Sequence, residues 1–401
     1  VTDPSDSPRR AALRDPYWDT VRWVAGALVV FGHVVDGVAD TQHGLLRWLY
    51  VATWPLRVPL LALLSGWFSS SAPLTRRSLR RLGLTLLVPY LAVGLLHSFQ
   101  RLAMTGRWWW HVDMPAWGLW FLLSLLLWRT ALPWIVRLRR PVSLSMALAL
   151  GAGYVPLLAD WLALSRTLCF LPFFLIGHRL RQGAGSDMLR PGVTWSRWTA
   201  VAVLTALGVA GWCTRDGVSF AWLRMQGPYE ADYGLPTAYD WSIRAAVLLI
   251  GTAGALALLR LMPRGRVPFL SFLGTGGMYL YVLHPLVLRP LLEWPGVGWI
   301  NGWPTEVAAL ACALALAAAL ASPPVRRATH HLVQPGRRPA VFTDERPAPP
   351  RDLRAGPRRS TREPRATGSA RRTRVTPTGR SAGTAPPPRG AGTSRCRGGR
   401  R

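Results

Sequence analysis

Asp19-Thr-Val-Arg22-Trp-Val-Ala-Gly-Ala-Leu-Val-Val-Phe-Gly-His33-Val-Val-Asp36 reads as a membrane-spanning helix with ionisable groups built into it. Arg22 stands at its start and His33 lies well inside the apolar run. Eleven residues separate them, which at about 1.5 Å each puts the two Cα atoms roughly 16 Å apart along the axis. That is about half of a ~30 Å hydrocarbon core. A cation at one mouth and an imidazole near the middle allow an anionic cofactor to be held outside while chemistry occurs within. The plainer reading is an anchoring arginine and a histidine satisfied by a neighbouring helix. Ionisable groups inside a membrane are costly and usually functional, which keeps the first reading open.

Further apolar windows follow at 47–69, 80–99, 116–136, 142–161, 164–180, 198–213, 241–262, 267–290 and 304–322, the first being 20–39. Arginine placement tests this pattern independently. Clusters fall at Arg9, Arg10 and Arg14; at Arg76, Arg77, Arg80 and Arg81; and at Arg137, Arg139 and Arg140. They continue around 179–197, 260–266 and 326–327. Every cluster precedes the first window or follows an even-numbered one, whereas the alternate loops hold isolated arginines such as Arg47, Arg101, Arg107, Arg215 and Arg224. The expectation is an all-α polytopic protein of about ten transmembrane helices in the cytoplasmic membrane, with both termini cytoplasmic.

Three segments are expected: a polar cytoplasmic lead over 1–17, a membrane domain over 18–322, and a basic tail over 323–401. Residues after Gly336 are Arg, Pro, Gly, Ser and Thr with few apolar side chains, a composition that predicts disorder. A polybasic arm of this kind suits anionic membrane lipid, although a tail with no specific partner has the same composition. The first apolar run lacks a small-residue cleavage pattern, so no cleavable signal peptide is expected.

The net charge of +29 resembles a nucleic-acid binder only until it is located. After Gly336, 18 arginines face four acidic residues, and most of the remaining excess sits in short loops. No specific nucleic-acid partner is expected. The cysteines, Cys169, Cys213, Cys312 and Cys396, are scattered, with neither a disulfide framework nor metal-ligand spacing. No GxSxG, P-loop, HExxH or strand-borne GxGxxG is present. The 21 tryptophans suit a polytopic protein, since indoles favour the water–lipid boundary.

Four groups within the windows need explaining: His33, Asp36, Arg57 and His284. Asp36 shares a helix face with His33. Running the helices through the bilayer puts His33, Arg57 and His284 at similar depth, which suggests one polar cavity. A neutral imidazole there can take the proton of an alcohol attacking a thioester, and a fixed cation can stabilise the developing oxyanion. On the outer side, residues 214–240 hold Trp222, Tyr229, Glu230, Asp232 and Tyr233. Aromatic faces with carboxylates suit a polyhydroxylated ligand, though solvated loops have the same make-up. Polar groups at mid-depth also suit a solute transporter, but no convincing inverted repeat is visible.

Several stretches together resemble the acyltransferase-3 family of membrane O-acyltransferases, in particular its fucose 4-O-acetylase-like branch. They are Tyr17-Trp-Asp19-Thr-Val-Arg22 with Gly32-His33 ten residues on, Val58-Pro59 through Ser65-Gly66-Trp67-Phe68, and Val88-Pro89-Tyr90. Trp117-Gly-Leu-Trp120-Phe121, Phe170-Leu-Pro-Phe-Phe-Leu-Ile-Gly177 and Tyr279-Leu-Tyr281-Val-Leu-His284-Pro285 complete the set. The resemblance implies transfer of an acetyl group from acetyl-CoA to a hydroxyl of a carbohydrate or glycolipid acceptor, with no metal. Arg22 matches the family arginine associated with the coenzyme, and His33 the essential histidine. Donor-side candidates are then Arg22, Asp19, Ser65, Arg76 and Arg77. Catalytic candidates are His33, His284, Arg57 and Asp36; acceptor-side candidates are Trp120, Tyr281, Glu230 and Asp232. Arg57 departs from the pattern, which usually reads Phe-His-Met-Pro where this chain has Leu56-Arg57-Val58-Pro59. A guanidinium stays charged and cannot relay a proton as histidine does, so a catalytically silent scaffold is a further alternative.

Overall fold

The computed structural model describes residues 15–38, 44–159, 161–183, 197–229, 239–265, 267–293 and 298–335. The lead before residue 15, the tail beyond 335, and the candidates Glu230 and Asp232 lie outside these described residues.

Helix α1 spans Pro16–Val38. Asp15 accepts a hydrogen bond from the Tyr17 amide at 3.0 Å, and Pro16 occupies the first helical position, a start signal written in the sequence. Then come α2 (Gly44–Thr53) and α3 (Val58–Trp67), two halves of one 24-residue span. Pro55 and Pro59 each remove a backbone donor, so the helix unwinds through a 3-10 turn at Trp54–Leu56 and restarts after Arg57. Arg57 therefore sits at a break in mid-span.

Helix α4 (Arg76–Leu82) passes through a π-turn at Gly83–Leu87 into α5 (Val88–Thr105). Gly106, at φ +69°, ends α5 in the left-handed conformation glycine adopts without strain. Helices α6 (Trp120–Ile135), α7 (Pro141–Gly151), α8 (Leu164–Arg181), α9 (Arg197–Thr214), the short α10 (Phe220–Arg224) and α11 (Asp240–Leu261) follow. Helices α12 (Pro268–Gly274) and α13 (Gly277–Glu293) form a pair bent by 71°, and α14 (Trp303–Ala321) completes the membrane part.

Every one of the ten apolar windows contains helix, but the number able to cross a membrane is smaller. Seven described helical segments are long and apolar enough, or eight with the bent pair taken as one span. α7 is short, and α9 has its apolarity diluted by Arg197 and the tryptophans at its ends. Both nonetheless follow the alternation read from arginine. α2 and α9 meet at one end, where Arg47 donates to the Arg215 carbonyl and the Trp48 indole to the Gly208 carbonyl. Tyr229 bonds the Leu150 carbonyl at the end of α7 on that same side. At the opposite end, the Tyr17 hydroxyl reaches the Leu259 carbonyl at 2.6 Å, and Arg326 reaches Thr275. The arginine-clustered ends thus gather together.

Close helix contact is made where side chains are absent. A Cβ on Gly66 or Gly177 would overlap the carbonyl of Phe174 or Leu63, so α3 and α8 cross backbone against backbone. Large apolar residues such as Val209, Leu249, Phe269 and Leu314 face outward, as a lipid solvent permits. The packed part also runs past 322. Two short helices, α15 (Pro323–Ala328) and α16 (His330–Val333), bring Val325, Leu332 and the fully buried Val333 onto the core, against the expected tail boundary. Their few apolar side chains suffice because a preformed surface is there to receive them.

Candidate active site

A cavity of about 420 Å³ opens between α1, the α2–α3 break, the Trp117 turn, α8 and α10. His33, Asp36, Arg57 and Trp120, expected from sequence, line it together. Trp117, Tyr50, Arg166 and Arg224 line it as well. Of these, Arg166 was detectable beforehand, as an ionisable residue within the 164–180 window.

The His33 ring has two aromatic neighbours, 5.7 Å from the near-parallel Trp117 ring and 5.0 Å from His284. Trp117 has φ +45°, a conformation uncommon for a bulky residue. Its turn is held by the 3.0 Å bond from the Leu119 amide to the Ala116 carbonyl, and by the Tyr281 hydroxyl donating to the Gly118 carbonyl. Tyr281 therefore does not line the cavity; it holds the turn that stacks the indole on His33. His284 is fully buried, and its Nδ1–H donates to the Leu280 carbonyl at 3.2 Å. That leaves the Nε2 lone pair without a hydrogen-bond partner behind His33.

Arg57 is buried, donates from Nη2 to the Tyr50 carbonyl at 2.8 Å, and lies 3.9 Å from the centre of the Tyr50 ring. Tyr50 in turn stacks on Phe220 at 3.9 Å and lines the cavity together with Asp36. The guanidinium rests directly on the backbone of α1 at Gly32, where any Cβ would overlap it. A glycine immediately before His33 thus lets a fixed cation stand beside the imidazole. Its Nε has no partner.

The donor-side candidates stand elsewhere. Arg22 pairs with Asp19 at 2.8 Å and lies 4.1 Å over the Phe68 ring, at the arginine-clustered end. Trp18 packs there on Trp67 and Phe68. Ser65, one turn before Phe68, has a carbonyl that accepts from the Ser69 hydroxyl. Arg76 and Arg77 are exposed at the start of α4, behind a Thr75–Ser78 capping box, and do not reach the cavity. Among the described residues no three His, Cys, Asp or Glu side chains are placed to hold a metal ion.

A bundle of apolar helices around a histidine- and arginine-lined cavity defines a multi-pass membrane protein with a buried polar site. Residues 15–322 match the sequence model of the acyltransferase-3 family, described as an acyltransferase domain, and the chain belongs to that family. No curated protein and no solved structure matches it. The protein is a membrane acyltransferase.

Proposed function

We propose that the protein transfers an acetyl group from acetyl-CoA to a hydroxyl of a carbohydrate-containing acceptor. The donor enters from the cytoplasmic side of the cytoplasmic membrane, and the acceptor reaches the cavity from the other side. The observation that carries this reading is a single continuous helix, α1, with Arg22 at the arginine-clustered end and His33 in the cavity. The span between them, about 16 Å for eleven residues, calls for a donor with an anionic end and a long extended arm.

His33 takes the proton of the acceptor hydroxyl as its oxygen attacks the thioester carbonyl. The carbonyl electron pair moves onto oxygen, and Arg57, fixed against Gly32, stabilises that charge. Collapse breaks the carbon–sulfur bond, and the proton on His33 passes to the leaving thiolate. His284 and Trp117, with ring centres 5.0 and 5.7 Å from that of His33, hold its ring in place. On this account Arg57 does not replace a proton-transferring histidine; it supplies the oxyanion contact.

The test is single-turnover transfer and donor binding on the purified protein. His33→Ala should abolish transfer, a loss of about 10²–10⁴-fold, with donor affinity nearly unchanged. Arg22→Ala should weaken donor binding roughly ten- to a hundredfold, the effect of one charge-assisted contact. Arg22→Lys should recover part of it, because the planar fork is lost but the charge is kept. Full transfer by a correctly inserted His33→Ala protein would discard the assignment. Absence of thioester consumption by the wild type would favour a silent scaffold.

A further inference from the structure

Three arginines converge on the acceptor side of the cavity: Arg224 exposed at the rim, Arg166 half-buried in the wall, and Arg57 buried beside His33. Asp36 is the one carboxylate lining the cavity among the described residues, and all three arginines act on it electrostatically. Among the described residues the lining therefore holds two more arginines than acidic side chains. Arg166 lies 5.2 Å over the Trp120 ring and donates to the Gln226 side chain. Arg224 makes a long 3.4 Å contact from Nε to the Phe220 carbonyl, and Arg57 keeps Nε without a partner.

Arg57 and Arg166 are withdrawn from water with Asp36 as the one described carboxylate in the lining, and such cations within a membrane protein are ordinarily paired or serve a ligand. A neutral sugar would leave the excess charge uncompensated. The guanidinium fork matches carboxylate and phosphate oxygens in pairs, and Trp117 and Trp120 line the same cavity. The cavity volume lies in the range for a small ligand. The donor does not provide the missing anion here, because Arg22 stands at the other end of α1.

We propose that the acceptor carries an anionic group, a carboxylate or a phosphate, close to the hydroxyl that is acylated, and that Arg166 and Arg224 bind it. The inference rests on the acyl-transfer reading above and adds the charge of the substrate. It predicts selectivity for acidic or phosphorylated sugar residues over their uncharged counterparts.

The experiment is a set of matched acceptors presented to the purified full-length protein with acetyl-CoA: a uronic-acid glycoside, the corresponding sugar phosphate, and the uncharged parent glycoside. The ratio of kcat/KM for charged over uncharged acceptor is the readout, with donor KM measured alongside. The wild type should favour one anionic acceptor by about ten- to a hundredfold, as one or two charge-assisted contacts provide. Arg166→Gln and Arg224→Gln should each lower that ratio about tenfold, chiefly through acceptor KM, and the Lys variants should restore part of it. The better of the two anions identifies carboxylate or phosphate. Equal use of charged and uncharged acceptors by the wild type would overturn the inference and leave acyl transfer standing. An unchanged ratio in both Gln variants, or a rise in donor KM instead, would also overturn it. Failure to acylate any acceptor, with no thioester consumed, would overturn both readings.

Discussion

Gly32→Ala tests the placement of Arg57 without replacing either Arg57 or His33. The added methyl would overlap the Arg57 Nη1 position, and the atom in its way is the far end of a flexible side chain. The helices need not move, but the guanidinium must. It would leave the Tyr50 carbonyl, now 2.8 Å away, and the Tyr50 ring face at 3.9 Å. The charged hydrogen bond contributes about 1.5–3 kcal/mol and a desolvated cation–π contact about 2 kcal/mol. Alanine returns about 1 kcal/mol through helix propensity, so the variant should fold with a modestly lowered melting temperature. Transfer should fall much further, about 10²–10³-fold, the usual effect of removing one oxyanion donor. The assay is single-turnover transfer for Gly32→Ala, Arg57→Gln and the double variant, with thermal unfolding measured in detergent. If both changes act through one guanidinium, Gly32→Ala should add little in the Arg57→Gln background. A wild-type rate for Gly32→Ala, or losses that multiply fully in the double variant, would refute the reasoning.

Gly177→Ala presses a methyl into the Leu63 carbonyl, a backbone atom that cannot rotate away. It should cost about 1–3 kcal/mol as an overpacked contact, and an unchanged melting temperature would refute the close crossing of α3 and α8. Truncation after Ser322 removes the buried Val333 with Val325 and Leu332, and should lower the melting temperature clearly, whereas truncation after Pro335 should not. Equal melting of the two truncated proteins would show that α15 and α16 add nothing. In a cysteine-free background, Arg107→Cys should react with an impermeant thiol reagent in intact cells and Arg77→Cys should not. Reaction of both would break the alternation read from arginine.

Helix positions, the clustering of arginines in alternate loops, and the ionisable His33 and His284 inside α1 and α13 were all readable from the chain. Each depends on local rules: apolar length, charge at the loops, and the cost of an ionisable group in lipid. His33 and Arg22 could be set 16 Å apart by arithmetic, because a continuous helix has a known rise of about 1.5 Å per residue. The number of spans was less secure. α7 was expected to cross within a window over 142–161, yet it ends at Gly151 and continues only as 3-10 turns, where Gly151, Gly153 and Pro156 interrupt the apolar run.

Tertiary packing decided what surrounds the imidazole. Arg57 looked like the loss of a proton-transferring group, and only the seat at Gly32 reveals a cation held against α1. Tyr281 looked like an acceptor contact and instead braces the Trp117 turn, while Arg166 and Arg224 come to the cavity from α8 and α10. Arg166, Arg224 and Tyr281 each stand more than a hundred residues from His33 in the chain. Periodicity and charge report which face of a helix is apolar and which end meets water. The rotation of each helix about its neighbour, and so which side chains share a cavity, is set by contacts such as Gly66 and Gly177 between distant segments, which no local pattern encodes.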